Sequence, residues 1–277
     1  MLPLDTDRNP PPSTAAPCIG VFDSGVGGLS VLRALRRQLP QAELLYAADS
    51  AHAPYGERDP AFILARCESL LAHLRRAGAQ MIVVACNTAT AVAIEALRNA
   101  HPDLMLVGVE PGLKPALALS RNRRIGVMAT QGTLASARFL RLAEAHTAGI
   151  HLHLQPCPGL AQALETGNAD SAEVGELIAR HTTPLRNAGV DTVVLGCTHY
   201  PFAAHRIAEA LGSTVALVDT SEAVARQVQR LTSALPSQKA AAPAQTSLWT
   251  SGDPAQLAHI AARWLDFEFN VQRLAGA

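Results

Sequence analysis

At 277 residues the chain is long enough for one large core or two of ordinary size. Apolar residues make up 48%, and Lys plus Arg balances Asp plus Glu at 23 each, so the formal charge is zero. That composition excludes a disordered protein and offers no electrostatic grip on nucleic acid or anionic lipid, which leaves a small molecule as the expected partner.

The first 17 residues, MLPLDTDRNPPPSTAAP, read as a disordered tail, with acidic residues and prolines where a signal peptide needs an apolar segment. Structure is expected from Cys18. A short strand over Ile19–Phe22 runs into Asp23-Ser24, a Gly-rich turn, and a helix with apolar positions at Leu29, Leu32, Leu35 and Leu39, closed by Pro40. A second strand follows over Glu43–Ala47, then a polar loop, SAHAPYGER, in which Tyr55-Gly56 reads on physical grounds as exposed. An amphipathic helix over Phe62–Ala77 leads into MIVVACNTATAVAIEA, where an apolar strand ends at Cys86 and an Ala-rich helix begins at once. Leu104–Val109 is a further apolar run, broken by Glu110-Pro111-Gly112.

A second half opens at Arg123. IGVMATQGTL at Ile125 matches IGVFDSGVGG at Ile19, and DTVVLGCTHYPF repeats the strand-then-cysteine pattern at Cys197. Ile19 and Cys86 are 67 positions apart, Ile125 and Cys197 are 72, so the chain reads as a duplicated α/β unit. A helix over Ala203–Leu211, a strand over Val215–Val218 and a helix over Glu222–Leu231, capped within Asp219-Thr220-Ser221, follow. Residues 233–247 are low in complexity and read as a flexible loop; the last segment, with Trp249, Trp264, Phe267 and Phe269, is apolar enough to return to the first half. The expected domains are therefore 18–109 joined by 219–277, and 110–218. No apolar run approaches the ~18 residues of a membrane span.

Five cysteines, an odd number without C-x-x-C spacing, point to a reducing compartment, the cytoplasm, and away from a zinc site or any other metal. Cys86 and Cys197 stand apart because each ends a strand where a helix is expected to begin. A free thiol is about 3% thiolate at neutral pH, and a helix N-terminus favours the anion, so both could serve as bases. The alternative is that both simply pack, as free cysteines often do, and as Cys18, Cys67 and Cys157 are expected to. Asp23 at the first strand's tip and His199 beside Cys197 could help move protons, or could be turn residues bonded to backbone. Ser24, Asn87, Thr88 and Thr198 could hold an anionic ligand together with backbone N–H groups, and could equally cap helices. The turn after the first strand lacks a complete dinucleotide fingerprint, since Ser30 stands at the last glycine position, and no P-loop occurs.

At these residues the chain resembles a known family, the cofactor-independent glutamate racemases of the aspartate/glutamate racemase superfamily. GVFDSGVGGLSVL, ADSAHAPYGER, VVACNTATA, GVEPGLKPA, IGVMATQGTL, VLGCTHYPF and VDTSEAVA carry the resemblance, from residue 20 to about 226. It implies two pseudosymmetric α/β domains with mostly parallel sheets, an active site in the cleft between them, no cofactor, and two-base proton exchange at the α-carbon of glutamate. Cys86 and Cys197 would be the two acid/base residues, Asp23 assisting Cys86 and His199 assisting Cys197. Asp23-Ser24, Tyr55-Gly56, Asn87-Thr88 and Thr198-His199 would bind substrate. The resemblance further implies supply of D-glutamate for the bacterial cell wall and is compatible with a homodimer. The segment CPGLAQALETG departs from the family pattern, and Glu165 within it receives no role. Two rival readings remain open: a racemase of the same fold acting on aspartate, and a two-domain clamp that holds an acidic ligand without turning it over.

Overall fold

In a computed structural model, residues 16–146, 149–166, 168–235 and 244–274 are described. The tail expected over 1–17 and the loop expected over 233–247 lie, apart from their ends, outside the described residues. The chain begins with β1 (Cys18–Asp23), α1 (Leu29–Gln38), β2 (Glu43–Ala48), α2 (Pro60–Arg76), β3 (Met81–Val84), α3 (Asn87–Ala100), β4 (Met105–Gly108) and α4 (Leu113–Leu119). It continues with β5 (Arg124–Ala129), α5 (Gln131–Ala135), α6 (Ala137–His146), β6 (His151–Pro156), α7 (Leu160–Glu165), α8 (Ala172–Asn187), β7 (Thr192–Gly196), α9 (Ala204–Leu211) and β8 (Ala216–Val218). It closes with α10 (Ser221–Thr232), β9 (Thr246–Thr250), α11 (Pro254–Trp264) and β10 (Asn270–Arg273).

The strands form two sheets, one ordered β10-β9-β2-β1-β3-β4 and the other β6-β5-β7-β8, and the pairings within them are parallel. Helices cover both faces, so β1, β3 and β7 are buried at every residue, which is why they read as unbroken apolar runs. The fold is two pseudosymmetric α/β domains. In each sheet the unit's first strand lies at the centre, its second on one side, its third on the other, and its fourth outside the third. The matching segments at Ile19 and Ile125 occupy the two central strands, β1 and β5. Cys86 and Cys197 follow β3 and β7, the equivalent third strands. Among the described residues no helix is long and apolar enough to cross a membrane.

The carboxyl-terminal segment returns to the first sheet, where β9 pairs with β2 and β10 with β9. Helix α10 joins the same core through Val224, Ala225 and Val228. One expected boundary shifts. The helix expected from Ala203 is preceded by a tighter 3₁₀ turn over Tyr200–Ala203, where Pro201 fits the opening turn because its missing N–H would have no partner there. That turn seats Phe202, buried in the first domain's core, against Trp264, with ring centroids 4.2 Å apart and planes at 24°. Trp264 also packs against the core of the second domain, so the stacked pair is shared by both. Phe202→Ala is therefore expected to cost about 3 kcal/mol of unfolding free energy, measured by urea denaturation. A loss below about 1 kcal/mol would show that the pair carries no such weight.

Candidate active site

The two parallel sheets present their carboxyl ends to each other, and that is where ligands bind in open α/β sheets. At the tip of β1, Asp23 is completely buried. Its Oδ1 accepts from the Gly25 N–H at 2.8 Å, and its Oδ2 accepts from the Thr198 hydroxyl, across the cleft, at 2.9 Å. Burial raises the carboxyl's pKa; the nearby His199, the Gly25 N–H and Thr198 pull the other way without cancelling it. The glycines of the turn serve close approach between domains. A Cβ on Gly25 would lie 1.3 Å from Glu165 Oε1, and one on Gly27 would lie 2.5 Å from His199 Nδ1.

Cys86 is the N-cap of α3, its Sγ accepting from the Ala89 N–H at 3.4 Å and donating to Ser24 Oγ at 3.6 Å. Ser24 in turn reaches Asp23 Oδ1 at 3.4 Å. Asp23 thus meets Cys86 through Ser24 rather than directly. The lowered thiol pKa expected at a helix N-terminus does not hold. Burial, and then the charge of Asp23, push Cys86 up to about 12, against the Ala89 N–H and Ser24. One N–H group at 3.4 Å is a weak opponent to complete desolvation.

Cys197 lacks the helix terminus expected for it, since the 3₁₀ turn intervenes and α9 starts only at Ala204. Its partner is instead His199, whose Nδ1 lies 3.7 Å from Sγ. The other ring nitrogen lies 3.1 Å from Glu165 Oε1. Burial opposes charge on this imidazole, but its hydrogen bonds to Cys197 and Glu165 prevail and hold its pKa well above the ordinary histidine range. Glu165 is itself anchored across the cleft by the Val26 N–H, at 2.8 and 3.1 Å from its two oxygens. Glu165 received no role from sequence, since no local pattern ties it to His199, 34 residues away.

Tyr55 and Gly56 are not an exposed loop. Tyr55 is 1% exposed, because its hydroxyl donates to Asp49 Oδ2 at 2.6 Å. Asp49 is buried and gripped by Arg66 through two bonds of 2.8 Å, with His52 Nδ1 at 3.0 Å. Burial alone would raise the Asp49 pKa; bonds from Arg66, Tyr55, Ser251 and His52 outweigh it and hold the carboxyl below its usual value. Neither Asp49 nor Arg66 was singled out from sequence, since a lone Asp and a lone Arg 17 residues apart carry no pattern.

One small cavity collects these groups. Ser24, Tyr55, Gly56, Cys86, Asn87, Thr88, Cys197, Thr198 and His199 all line it, together with Pro54, Thr130 and Ala161. Asp23 stands behind Ser24 and is not on its wall. Thr130 is held to Thr88 by a 2.9 Å hydroxyl contact across the domains. The Asn87 Nδ2 group is buried and has no hydrogen-bond partner, a donor set for an acceptor that a ligand would bring. The water-accessible room inside is about 10 Å³, roughly one water's need. This conformation is closed, and anything larger enters only if the domains part.

Comparison with known proteins follows the same lines. The family model for Asp/Glu/hydantoin racemases matches residues 19–228. The chain is 47% identical over 245 residues to a glutamate racemase of Pseudomonas paraeruginosa, covering 87% of this chain and 91% of that one. Among solved structures, it is similar to a glutamate racemase isoform of Bacillus anthracis, with 30% identity, a TM-score of 0.84, and coverage of 95% of this chain and 98% of that one. It is likewise similar to the Escherichia coli glutamate racemase in complex with L-glutamate and the activator UDP-MurNAc-Ala, with 31% identity, a TM-score of 0.84, and coverage of 94% and 98%.

The buried Asp49 makes the wall carrying Tyr55 sensitive to acid. Its lowered pKa contributes stability that is present in full above the unfolded carboxyl value of about 3.9 and is lost as pH falls through the lower folded value. Asp49→Asn is expected to cost about 3 kcal/mol at pH 7, the low end for breaking a buried ion pair. The deficit against the natural protein should shrink below about pH 4. Urea titrations across that range check it, and a deficit independent of pH would contradict it.

Proposed function

The chain belongs to the Asp/Glu/hydantoin racemase family, and from that premise we propose that it interconverts L- and D-glutamate by proton exchange at the α-carbon, without a cofactor. The observation that carries this reading is the pair of cysteines that end equivalent strands of the two domains and line one closed cavity. Inverting a stereocentre requires a proton to leave one face and another to arrive on the opposite face. A thiolate on one wall and a thiol on the other meet that need, and their roles exchange when the reaction runs backwards.

Cys86 acts with Ser24 and Asp23, Cys197 with His199. Burial holds Cys86 as a thiol at neutral pH in the closed site, ready to donate. His199 keeps a proton beside Cys197. The substrate's carboxylates are held by hydroxyl and amide donors: Ser24, Thr88 and Thr198, and Asn87 with its unpartnered Nδ2. The Tyr55-Gly56 segment supplies the facing wall. Charge that builds on the α-carbon and carboxylate in the transition state is met by these fixed donors in a site closed to water. The solved complex of the E. coli relative with L-glutamate supports glutamate over aspartate. The D-glutamate formed is proposed to supply peptidoglycan synthesis in the cytoplasm, a placement supported by five free, buried cysteines.

The test is incubation with L-glutamate in D2O without added cofactor, following optical rotation and α-proton loss together. The natural protein is expected to lose both signals, with L-aspartate as the specificity control. Cys86→Ser and Cys197→Ser should each lose racemisation by a factor of about 10²–10⁴, the usual weight of a positioned proton-transfer group. If both variants bind glutamate as the natural protein does, and the natural protein itself moves neither signal, the chain is a glutamate clamp and not an enzyme.

A further inference from the structure

Outside the cavity a second set of contacts joins the domains. Asn87, Ala91 and Glu95 form a stripe at helical spacing along α3, and Arg138, Arg141 and Leu142 form one on α6 of the second domain. The two stripes line a gap of about 220 Å³. Glu95, Glu110 and Arg141 on it are exposed, so the gap is open to water. Across it the helices are joined by charge. Arg138 donates to Glu95 Oε1 at 3.4 Å and to Glu110, and Arg141 donates to Glu95 Oε1 at 3.1 Å. Glu110 follows Val109, which is buried in the first domain's core, and so stands where the chain first crosses between the domains.

This cluster is placed to feel the cavity open. Glu95 lies on the same face of α3 as Thr88, about two turns and about 10 Å along the helix. Arg138 follows Thr130, the N-cap of α5, and Ser136 alone separates α5 from α6. Parting Thr88 from Thr130, which any ligand larger than water requires, therefore draws Glu95 away from Arg138 and Arg141. Asn87 lines both the gap and the cavity, so the gap reaches the back of the cavity wall. The side chains of Arg138, Arg141, Glu95 and Glu110 are 24%, 61%, 61% and 52% exposed. Salt screens such groups strongly, and buried groups such as Asp23, Thr198 and Thr88 much less.

We propose that Arg138, with Glu95 and Glu110, is an electrostatic latch that holds the domains closed, so that ionic strength sets how often the cavity opens. None of the three lines the cavity or touches its cysteines. Arg138 is the centre of the latch because it binds two carboxylates at once, one on α3 and one at the crossing. Its loss frees both, and leaves Arg141 on Glu95 as the remaining pair. The open gap beneath the cluster means that the arginine is not a filler of the core, so its replacement weakens closure without leaving a hole in either domain. The latch concerns opening alone and holds whether or not the chain turns a ligand over.

Alkylation of the cavity's cysteines reads opening without any turnover. Cys86 and Cys197 are 5% and 7% exposed, so iodoacetamide, an uncharged reagent, reaches them when the domains part. Cys67, buried in the first domain's core, reacts only through unfolding and is the internal control. The full chain is alkylated at neutral pH in about 0.01 M and about 1 M salt, between which the Debye length falls from about 30 to about 3 Å. Mass analysis of peptides then gives the rate at each cysteine. In the natural protein, salt is expected to speed labelling of Cys86 and Cys197 about 5-fold, the weight of two exposed ion pairs. Arg138→Met should label about 5-fold faster than the natural protein at low salt and gain less than about 2-fold more from salt. Arg138→Lys, which keeps the charge, should stay within about 2-fold of the natural protein, and Cys67 should not change in any of these. Absence of a salt effect on the natural protein overturns the latch. So does equal labelling of Arg138→Met and the natural protein at low salt, a difference between them that persists at high salt, or a rise at Cys67 that matches the other two.

Discussion

The seam between the two domains is the contact on which the rest of the site depends. The turn after β1 takes the Glu165 carboxylate on Val26 N–H, Asp23 takes the Thr198 hydroxyl, and the Ser30 hydroxyl reaches the Thr198 carbonyl. These partners are 139, 175 and 168 residues apart in the chain, so only the folded arrangement of both sheets brings them together. Glycine in a turn gives up more conformational freedom on folding than any other residue. Here the return is distance: at Gly25 and Gly27 any side chain would occupy the space that Glu165 and His199 fill. The Gly-rich turn after β1 is thus a socket for the opposite domain.

The same closeness removes water, and desolvation then decides protonation. Asp23 and Cys86 are both pushed towards their neutral forms by burial, in spite of hydrogen bonds that favour the charged ones. His199 goes the other way because two neighbours outweigh the cost of burying its charge. Pseudosymmetric domains thus place their cysteines at equivalent positions but surround them with different chemistry. One has a hydroxyl and a fully buried carboxyl, the other an imidazole and a carboxylate whose side chain is 11% exposed. In the proposed reaction that difference gives each cysteine its own proton-transfer partner.

Much of this was legible in the chain. The unbroken apolar runs at Phe22, Val84 and Leu195 are what strands covered on both faces require, and the repeated IGV segment located both central strands. The two cysteines were legible because a strand ending in Cys-Asn-Thr or Cys-Thr-His is a local pattern. Local pattern also misled. Apolar spacing after Cys197 suggested a helix, but Pro201 and the seating of Phe202 made a 3₁₀ turn first. Tyr55 looked exposed because its loop is polar. The polar groups are there to satisfy its hydroxyl, through an Asp49–Arg66 pair whose members have no sequence relation. Glu165 was unreadable for the same reason. Its meaning lies in two partners 34 and 139 residues away.

Closure has a modest free-energy scale. Admitting glutamate to a cavity with about 10 Å³ of water-accessible room requires the seam to part, which breaks the Glu165–Val26, Thr198–Asp23, Ser30–Thr198 and Thr88–Thr130 hydrogen bonds. Each is worth about 1 kcal/mol net once water replaces the lost partner, and about 2 kcal/mol where the Glu165 carboxylate accepts, so the bonds resist opening by about 5 kcal/mol together. A ligand that binds the closed form alone can supply that difference by its own contacts, of which the unpartnered Asn87 amide is one. The desolvation that sets the protonation of Asp23 and Cys86 is established by the same closing movement. Opening returns both groups to water and lets both cysteines re-equilibrate with solvent, so in the proposed reaction each closure on substrate starts from cysteines at solvent equilibrium.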